Sequence, residues 1–218
     1  MYADLPKKLE LIVFSFFIKA FMIKEISRKG NFEITEHEVW LNNGETVLIR
    51  PLSSNDKAGI IDFLSSLSEE TRHFYVLDDY GEKTADSLCK SVGKAGKMHF
   101  VVVNNSSEII ALVKFSLDLP DVDKSRYLKY GVSFDPGSVT RCGTCITDKY
   151  QNLGLGGITL QQIIDASRYL GQRMIILSGG IYANNQRAIH MCQKHGFRIA
   201  GRFTDMYGHV HVDMFRDI

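Results

Sequence analysis

A dominant charge is missing from this chain. Its 26 lysines and arginines face 25 aspartates and glutamates, a net charge of +1 over 218 residues. No global field draws such a chain to nucleic acid, and no local basic patch takes its place, so nucleic acid is not an expected partner. Cysteine is scarce too. Four in a chain of this length make no disulfide framework, and a reducing cytoplasm is the expected location. Internal repeats and low-complexity tracts are absent. An uninterrupted membrane span is also lacking: residues 9–26 (LELIVFSFFIKAFMIKEI) are densely apolar, but Lys19 and Lys24 interrupt them. No small-residue cleavage site follows, as a signal peptide would require. The stretch reads instead as a helix packed on the domain or on a partner chain, which leaves a homodimer open. An interfacial membrane helix is the lesser reading. Met22 stands as an alternative start, with residues 1–21 as upstream extension.

What is present is ordinary globular material, 44% hydrophobic and 23% charged, enough for one sizeable core. Residues 32–40 and 45–51 flank Asn42-Asn43-Gly44, a hairpin signal. Ser53 to Asp56 offer caps to a helix carrying Ile60, Ile61, Phe63, Leu64 and Leu67, and a shorter helix starts near Ser68. Strands are expected over 99–103 and 109–117, and a long loop over 119–138. A strand over 139–147 then leads to a helix over 156–170. A buried strand covers 173–178, and a helix capped by Asn184 and Asn185 ends at Gly196. Residues 198–204 and 209–215 close as a hairpin. This order implies a mixed sheet with helices on its faces, in an α/β domain.

The richest stretch is YQNLGLGGITLQQII, residues 150–164, with Gly154, Gly156 and Gly157 at the mouth of a helix. A helix N-terminus presents unpaired N–H groups and partial positive charge, and glycines let an anion approach them. The lysine that ends a P-loop is absent, and the spacing is not that of a dinucleotide fingerprint. A plain tight turn from strand to helix would also use such glycines.

Three segments in order carry a resemblance. Ile146-Thr-Asp-Lys-Tyr-Gln151-Asn-Leu-Gly154-Leu-Gly156 resembles the acyl-CoA motif of the GCN5-related N-acetyltransferase (GNAT) superfamily. Asn185-Gln-Arg-Ala188 through Lys194-His-Gly196-Phe197 resembles its second signature, and Leu48-Ile-Arg50-Pro51 its opening strand. The likeness covers residues 45–218, leaving 1–44 as an N-terminal extension of apolar helix and hairpin strand. It implies a GNAT-like mixed, mostly antiparallel twisted sheet flanked by helices. It also implies acetyl transfer from acetyl-CoA to a primary amine, on a small molecule or a protein, by direct attack in a ternary complex, with no metal. By the same resemblance, Gln151 and the backbone amides of Asn152, Leu153, Gly154, Leu155, Gly156 and Gly157 hold the CoA diphosphate. The pantetheine pairs with the backbone of Cys145, Ile146 and Thr147, Asn185 touches it, and the N–H of Ile146 meets the oxyanion.

Two side chains common in that family are missing. The region before the glycine motif reads Thr140-Arg141-Cys142, without a carboxylate base, and the usual tyrosine acid falls on Cys192. A thiol can in principle protonate a thiolate, but a buried packing role is the plainer reading of Cys192. Glu108, Asp118, Asp135 or a water chain are substitute bases. Tyr150 and Tyr182 are assigned to packing. The acceptor is expected between residues 67–80 and 204–210, where Asp78-Asp79 would attract a cation or form an ordinary solvated loop. Cys142 and Cys145 lie three apart on a strand and should face opposite sides, so they diverge. His209 and His211 are too few for a zinc site and read as surface or pocket histidines. A rival reading keeps the acyl-CoA pocket without chemistry, as a sensor or regulatory module; a third is a nucleotide-binding α/β protein.

Overall fold

The structure, a computed structural model, describes residues 23–24, 33–34, 36–94, 96–135 and 137–218. Strands β1 (Ile23–Lys24) and β2 (Glu33–Ile34) pair with each other. The apolar helix expected over 9–26 otherwise lies outside the described residues. Nine strands form the main sheet: β3 (His37–Trp40), β4 (Thr46–Pro51), β5 (Lys97–Val103), β6 (Ile109–Ser116), β7 (Val139–Ile146), β8 (Met174–Leu177), β9 (Ile181–Tyr182), β10 (Arg198–Thr204) and β11 (Val210–Asp217). Their order is β10-β11-β8-β7-β6-β5-β4-β3, with β9 beside β11. Every pair is antiparallel except β7 with β8. The Asn42-Asn43-Gly44 hairpin forms as expected, with Gly44 at a φ of +84°. Its first strand belongs to this same sheet, so the extension expected at 1–44 is in part built into the domain.

Helices cover both faces. On one side lie α1 (Lys57–Ser66), α2 (Glu69–Phe74), α3 (Glu82–Lys90) and α4 (Asp121–Lys129). On the other lie α5 (Leu155–Tyr169) and α6 (Gln186–Lys194). The side chains of β7 alternate between these layers. Cys142 joins the core of α5 and α6, and Cys145 joins the core of α1 and α3. Ile163 and Ile164 of α5 are fully buried, each worth roughly 1.5–3 kcal/mol of transfer free energy.

Helices α3 and α4 were not expected; α4 occupies part of the predicted loop. Its apolar content is small. It is held by Arg126, whose Nε lies 2.8 Å from Asp213 Oδ2 and whose Nη2 lies 2.7 Å from Asp123 Oδ1. Arg141 of β7 reaches Asp123 at 3.1 Å. Tyr127 adds a hydrogen bond to the Met214 carbonyl at 2.8 Å. A buried charge network of this kind leaves no periodic hydrophobic signature.

His99 on β5 gives a stability test. Burial, then the neighbouring Lys114 charge, pushes its pKa down to about 4, from ~6.5 in an unfolded chain. The folded state therefore favours the neutral ring. That stability is complete above pH ~6.5, declines as pH falls through this window, and is gone below about pH 4. The full loss is about 3 kcal/mol. Urea denaturation at pH 7 and pH 4 should show His99→Gln losing about 2–3 kcal/mol less than the native sequence over this interval. Equal losses would contradict the burial of a neutral ring.

Candidate functional site

The sheet opens between β7 and β8. Their parallel ladder runs only from Val139–Met174 to Cys142–Leu177. Ser178 then donates to the Cys142 carbonyl at 2.8 Å, Gly179 and Gly180 turn at positive φ, and β9 continues with β11. Residues 143–146 of β7 keep β6 on one side and, among the described residues, have no strand partner on the other. Thr147 N–H donates to Ile110 C=O at 2.9 Å. Counting back along the antiparallel alternation, Cys145 and Gly143 turn toward β6, while Thr144 and Ile146 present their N–H groups to the opening. The backbone groups expected on Cys145 and Thr147 are thus committed within the protein: the Thr147 carbonyl also accepts from Tyr150 N–H at 2.9 Å. The free edge is carried by Thr144 and Ile146.

That edge leads into the glycine turn. Asn152 and Gly154 adopt positive φ, +62° and +87°, and the first backbone bond into α5 is Ile158 N–H to Gly154 C=O at 3.1 Å. The N–H groups of Leu155, Gly156 and Gly157 therefore lack intrahelical acceptors. Together with the turn they form a concave row of donors suited to an anion. A Cβ would make its neighbours shift: at Gly156 it would lie 2.7 Å from Met191 Sδ, and at Gly157 3.1 Å from the His195 ring. At Gly154 it would press on the Asn42 side chain at 3.0 Å.

Two residues support the turn that sequence reasoning passed over. Asn42, in the hairpin, donates its backbone N–H to Leu153 C=O at 3.0 Å. Asp148 accepts from Ser68 N–H at 3.0 Å, Ser68 Oγ at 2.6 Å and Thr71 Oγ1 at 2.8 Å, which ties α2 to the end of β7. Burial acts to raise its pKa, but these donors outweigh burial and hold the carboxyl below its usual range. A hydrogen-bonding side chain far away in sequence gives no local pattern, so neither contact had a readable signal.

Gln151 is placed differently from its expected role. Its Nε2 donates to Thr71 Oγ1 at 2.9 Å and to Ile146 C=O at 3.0 Å, which uses both amide hydrogens. It braces the strand end and has no donor left for a diphosphate. Asn185 caps α6 by accepting from Ala188 N–H at 3.1 Å, leaving its Nδ2 as a free donor.

Two cavities meet at the opening. One, of about 380 Å³, runs from Thr144 and Ile146 past the glycine turn to Arg187. The other, of about 320 Å³, lies toward Lys114, Tyr182 and His211. Phe74, Tyr75, Thr144, Asn185, Ala188 and Met191 line both. The Tyr75 hydroxyl is buried there without a hydrogen-bond partner. Burial, then nearby Cys145 and Tyr80, raises its pKa well above the ordinary value.

The expected acid and bases fare poorly. Cys192 is 3% exposed, and burial pushes its thiol up to about 12. Proton transfer from it to a thiolate of ordinary pKa, ~8.5, runs uphill. It is a core residue. Glu108 accepts from Asn104 Nδ2 at 2.7 Å in the β5–β6 turn, Asp118 faces Arg141 at 3.4 Å, and exposed Asp135 faces Arg173 at 3.4 Å. None of them lines either cavity. Asp79 caps the start of α3 by accepting from Gly81 N–H at 3.0 Å and Lys83 N–H at 3.1 Å. Tyr150 is buried and donates to Glu45 at 2.9 Å, whereas Tyr182 belongs to the second cavity. The four cysteines are free, and no cluster of three metal-ligating side chains exists among the described residues.

A model of the acetyltransferase (GNAT) family matches residues 61–197. Acetyltransferase PA5475 of Pseudomonas aeruginosa is 30% identical over 156 residues, 70% of this chain and 78% of that protein. Among solved structures, the GNAT domain of S. lividans PAT superposes with a TM-score of 0.66 at 17% identity, covering 84% of this chain and 97% of that one. A Vibrio cholerae spermidine N-acetyltransferase, solved with CoA and spermine, superposes with a TM-score of 0.58 at 16% identity over 78% of this chain and 95% of that one. Each of these two structures is like this chain in fold.

Proposed function

The chain belongs to the GNAT family of N-acetyltransferases, and from this we propose that it moves an acetyl group from acetyl-CoA to a primary amine by direct attack in a ternary complex. One observation carries the reading: an unpaired strand edge at Thr144 and Ile146 runs into a row of unpaired helix N–H groups. The edge suits the amide groups of a pantetheine, and the N–H row suits a diphosphate. Asn185 Nδ2 and Arg187 supply a further donor and a cation along the first cavity. Acetyl-CoA contributes the activated thioester. Ile146 N–H, pointing into the opening, is the donor for charge that develops on the carbonyl oxygen. No helix among the described residues is long and apolar enough to cross a membrane, and four free thiols suit a reducing cytoplasm.

The acceptor enters from the second cavity. Among the described residues, no aspartate or glutamate lines it, while Lys114 does, with its ammonium 5.0 Å from the Tyr75 ring and no carboxylate within 4.0 Å. Burial lowers the Lys114 pKa, a tension that an incoming anion would relieve. The cavity suits an amine beside a carboxylate or carbonyl, as in an amino acid or peptide N-terminus, and disfavours a polyamine. CoA thiol release with a panel of amino acids, short peptides and spermidine tests this. Acceptor-dependent release is expected, with spermidine at least about tenfold poorer in kcat/KM, a difference of about 1.4 kcal/mol. Lys114→Gln should narrow that gap. Spermidine as the best acceptor would overturn the acceptor assignment, and tight acetyl-CoA binding with no turnover on any amine would favour a sensor module.

A further inference from the structure

One imidazole in the second cavity has a constrained setting. His211, near the start of β11, is 7% exposed. Phe203 of β10 stacks on it at 4.9 Å and 12°, and the Tyr182 ring of β9 lies at 4.3 Å. Its Nε2 stands 3.1 Å from Asp205 Oδ2. Its Nδ1 is buried and, among the described residues, has no hydrogen-bond partner. The carboxylate is itself fixed, because Asp205 Oδ1 accepts from the backbone N–H groups of Tyr207 and His209, both at 2.9 Å. His209 Nδ1 shares Oδ2 at 3.2 Å. An ionised carboxylate only accepts, so a neutral His211 carries its hydrogen on Nε2 and keeps a lone pair on Nδ1.

We propose that His211 is the base that deprotonates the acceptor ammonium, at Nδ1 directly or through one water, with Asp205 as the positioning residue that fixes its tautomer. The inference rests on the transferase reading and supplies the base that the strand before the glycine turn lacks. Among the described residues no carboxylate lines the cavity, and Lys114, a cation there, is no competitor while protonated. The step balances. His211 Nδ1 gains a proton from the ammonium, and the nitrogen lone pair so released forms the new C–N bond. The C–S bond breaks with its electrons on sulfur. The second amine proton ends on that sulfur as CoA thiol, and the imidazolium returns its own proton to water. Asp205 orients the His211 ring through Nε2, the positioning part that a carboxylate plays beside other catalytic histidines.

The charged and titratable groups around this ring come from several elements. Asp205 and His209 come from the β10–β11 hairpin and the Tyr182 phenol from β9. His73 of α2 packs on the Tyr182 and His209 rings at 4.9 and 5.9 Å. Lys114 of β6, Tyr75 after α2, Cys142 of β7 and Cys192 of α6 line the same cavity, and Arg126 of α4 lies behind Phe203, 4.1 Å from that ring. The test uses the full chain, acetyl-CoA and the best amine from the panel. His211→Asn and His211→Gln should lower kcat at pH 7 by about 10²–10⁴-fold while acetyl-CoA affinity stays within about twofold. The deficit should shrink as pH rises toward the pKa of the free amine. Asp205→Asn should lower kcat less and, in long-range ¹H–¹⁵N spectra of histidine-labelled protein, shift His211 away from the Nε2–H tautomer seen in the native chain. Unchanged kcat in folded variants, or a native Nδ1–H tautomer, overturns the proposal alone. A native chain that releases no CoA with any amine overturns the transferase reading and this proposal with it.

Discussion

Aspartate at Gly156 should abolish acetyl-CoA binding in a chain that still folds. The glycine supplies one of the unpaired N–H groups at the head of α5 and lines the first cavity. A carboxylate there sets a negative charge against a diphosphate at contact range. At an effective dielectric of about 20, one such pair of charges at 4 Å costs about 4 kcal/mol, on the order of 10³-fold in Kd. The steric cost to the apo fold is modest, because the nearest atom is the sulfur of a flexible side chain, Met191, at 2.7 Å. Gly156→Ala separates the two effects: it adds the bulk without the charge and should lose only about tenfold. Calorimetry with acetyl-CoA, alongside circular dichroism, reads both. A folded Gly156→Asp chain with native affinity would show that the diphosphate does not sit at this turn.

Proline at Ile146 should cost turnover far more than binding, because Thr144 keeps its place on the edge. The N–H of Ile146 points into the opening and takes no part in the β6 ladder, so its loss leaves that ladder intact. Cys145 is already extended, as a residue before proline must be. The Ile146 carbonyl still accepts from Gln151. What disappears is one donor at the place where negative charge develops, an effect worth about 10²–10³ in kcat. Ile146→Val keeps the N–H and most of the packing and should be close to native. Stopped-time CoA release, with acetyl-CoA affinity measured in parallel, distinguishes loss of catalysis from loss of binding. Native kcat in a folded Ile146→Pro chain would assign the oxyanion to another donor.

The parts legible in the sequence were those written in local pattern. Asn42-Asn43-Gly44 marked its hairpin, Ser68 and Asn185 their helix starts, and the glycines of 154–157 the turn before α5. Helix α4 was illegible because it docks through Arg126 to Asp213, 87 residues away, and not through an apolar stripe. Helix α3 buries only Ala85 and Leu88. Short β9 follows two glycines and depends on β11 for its ladder. At the site, the backbone grip on an acyl-CoA could be anticipated, but not which residues of β7 are free, since that depends on the β6 register. Asp205 and His211 lie six apart across a hairpin turn, and only the fold brings carboxylate and imidazole within 3.1 Å. The strand before the glycine motif carries Thr140, Arg141 and Cys142, and the substitute bases legible in the sequence, Glu108, Asp118 and Asp135, all lie outside both cavities.

The most direct measurement is a crystal structure of the chain soaked in acetyl-CoA. The account requires the diphosphate against the backbone amides between Asn152 and Gly157, with the pantetheine laid along Thr144 and Ile146 and the thioester facing the cavity of Lys114 and His211. Density for the ligand elsewhere, with the glycine turn packed shut and the β7 edge bare, would contradict it.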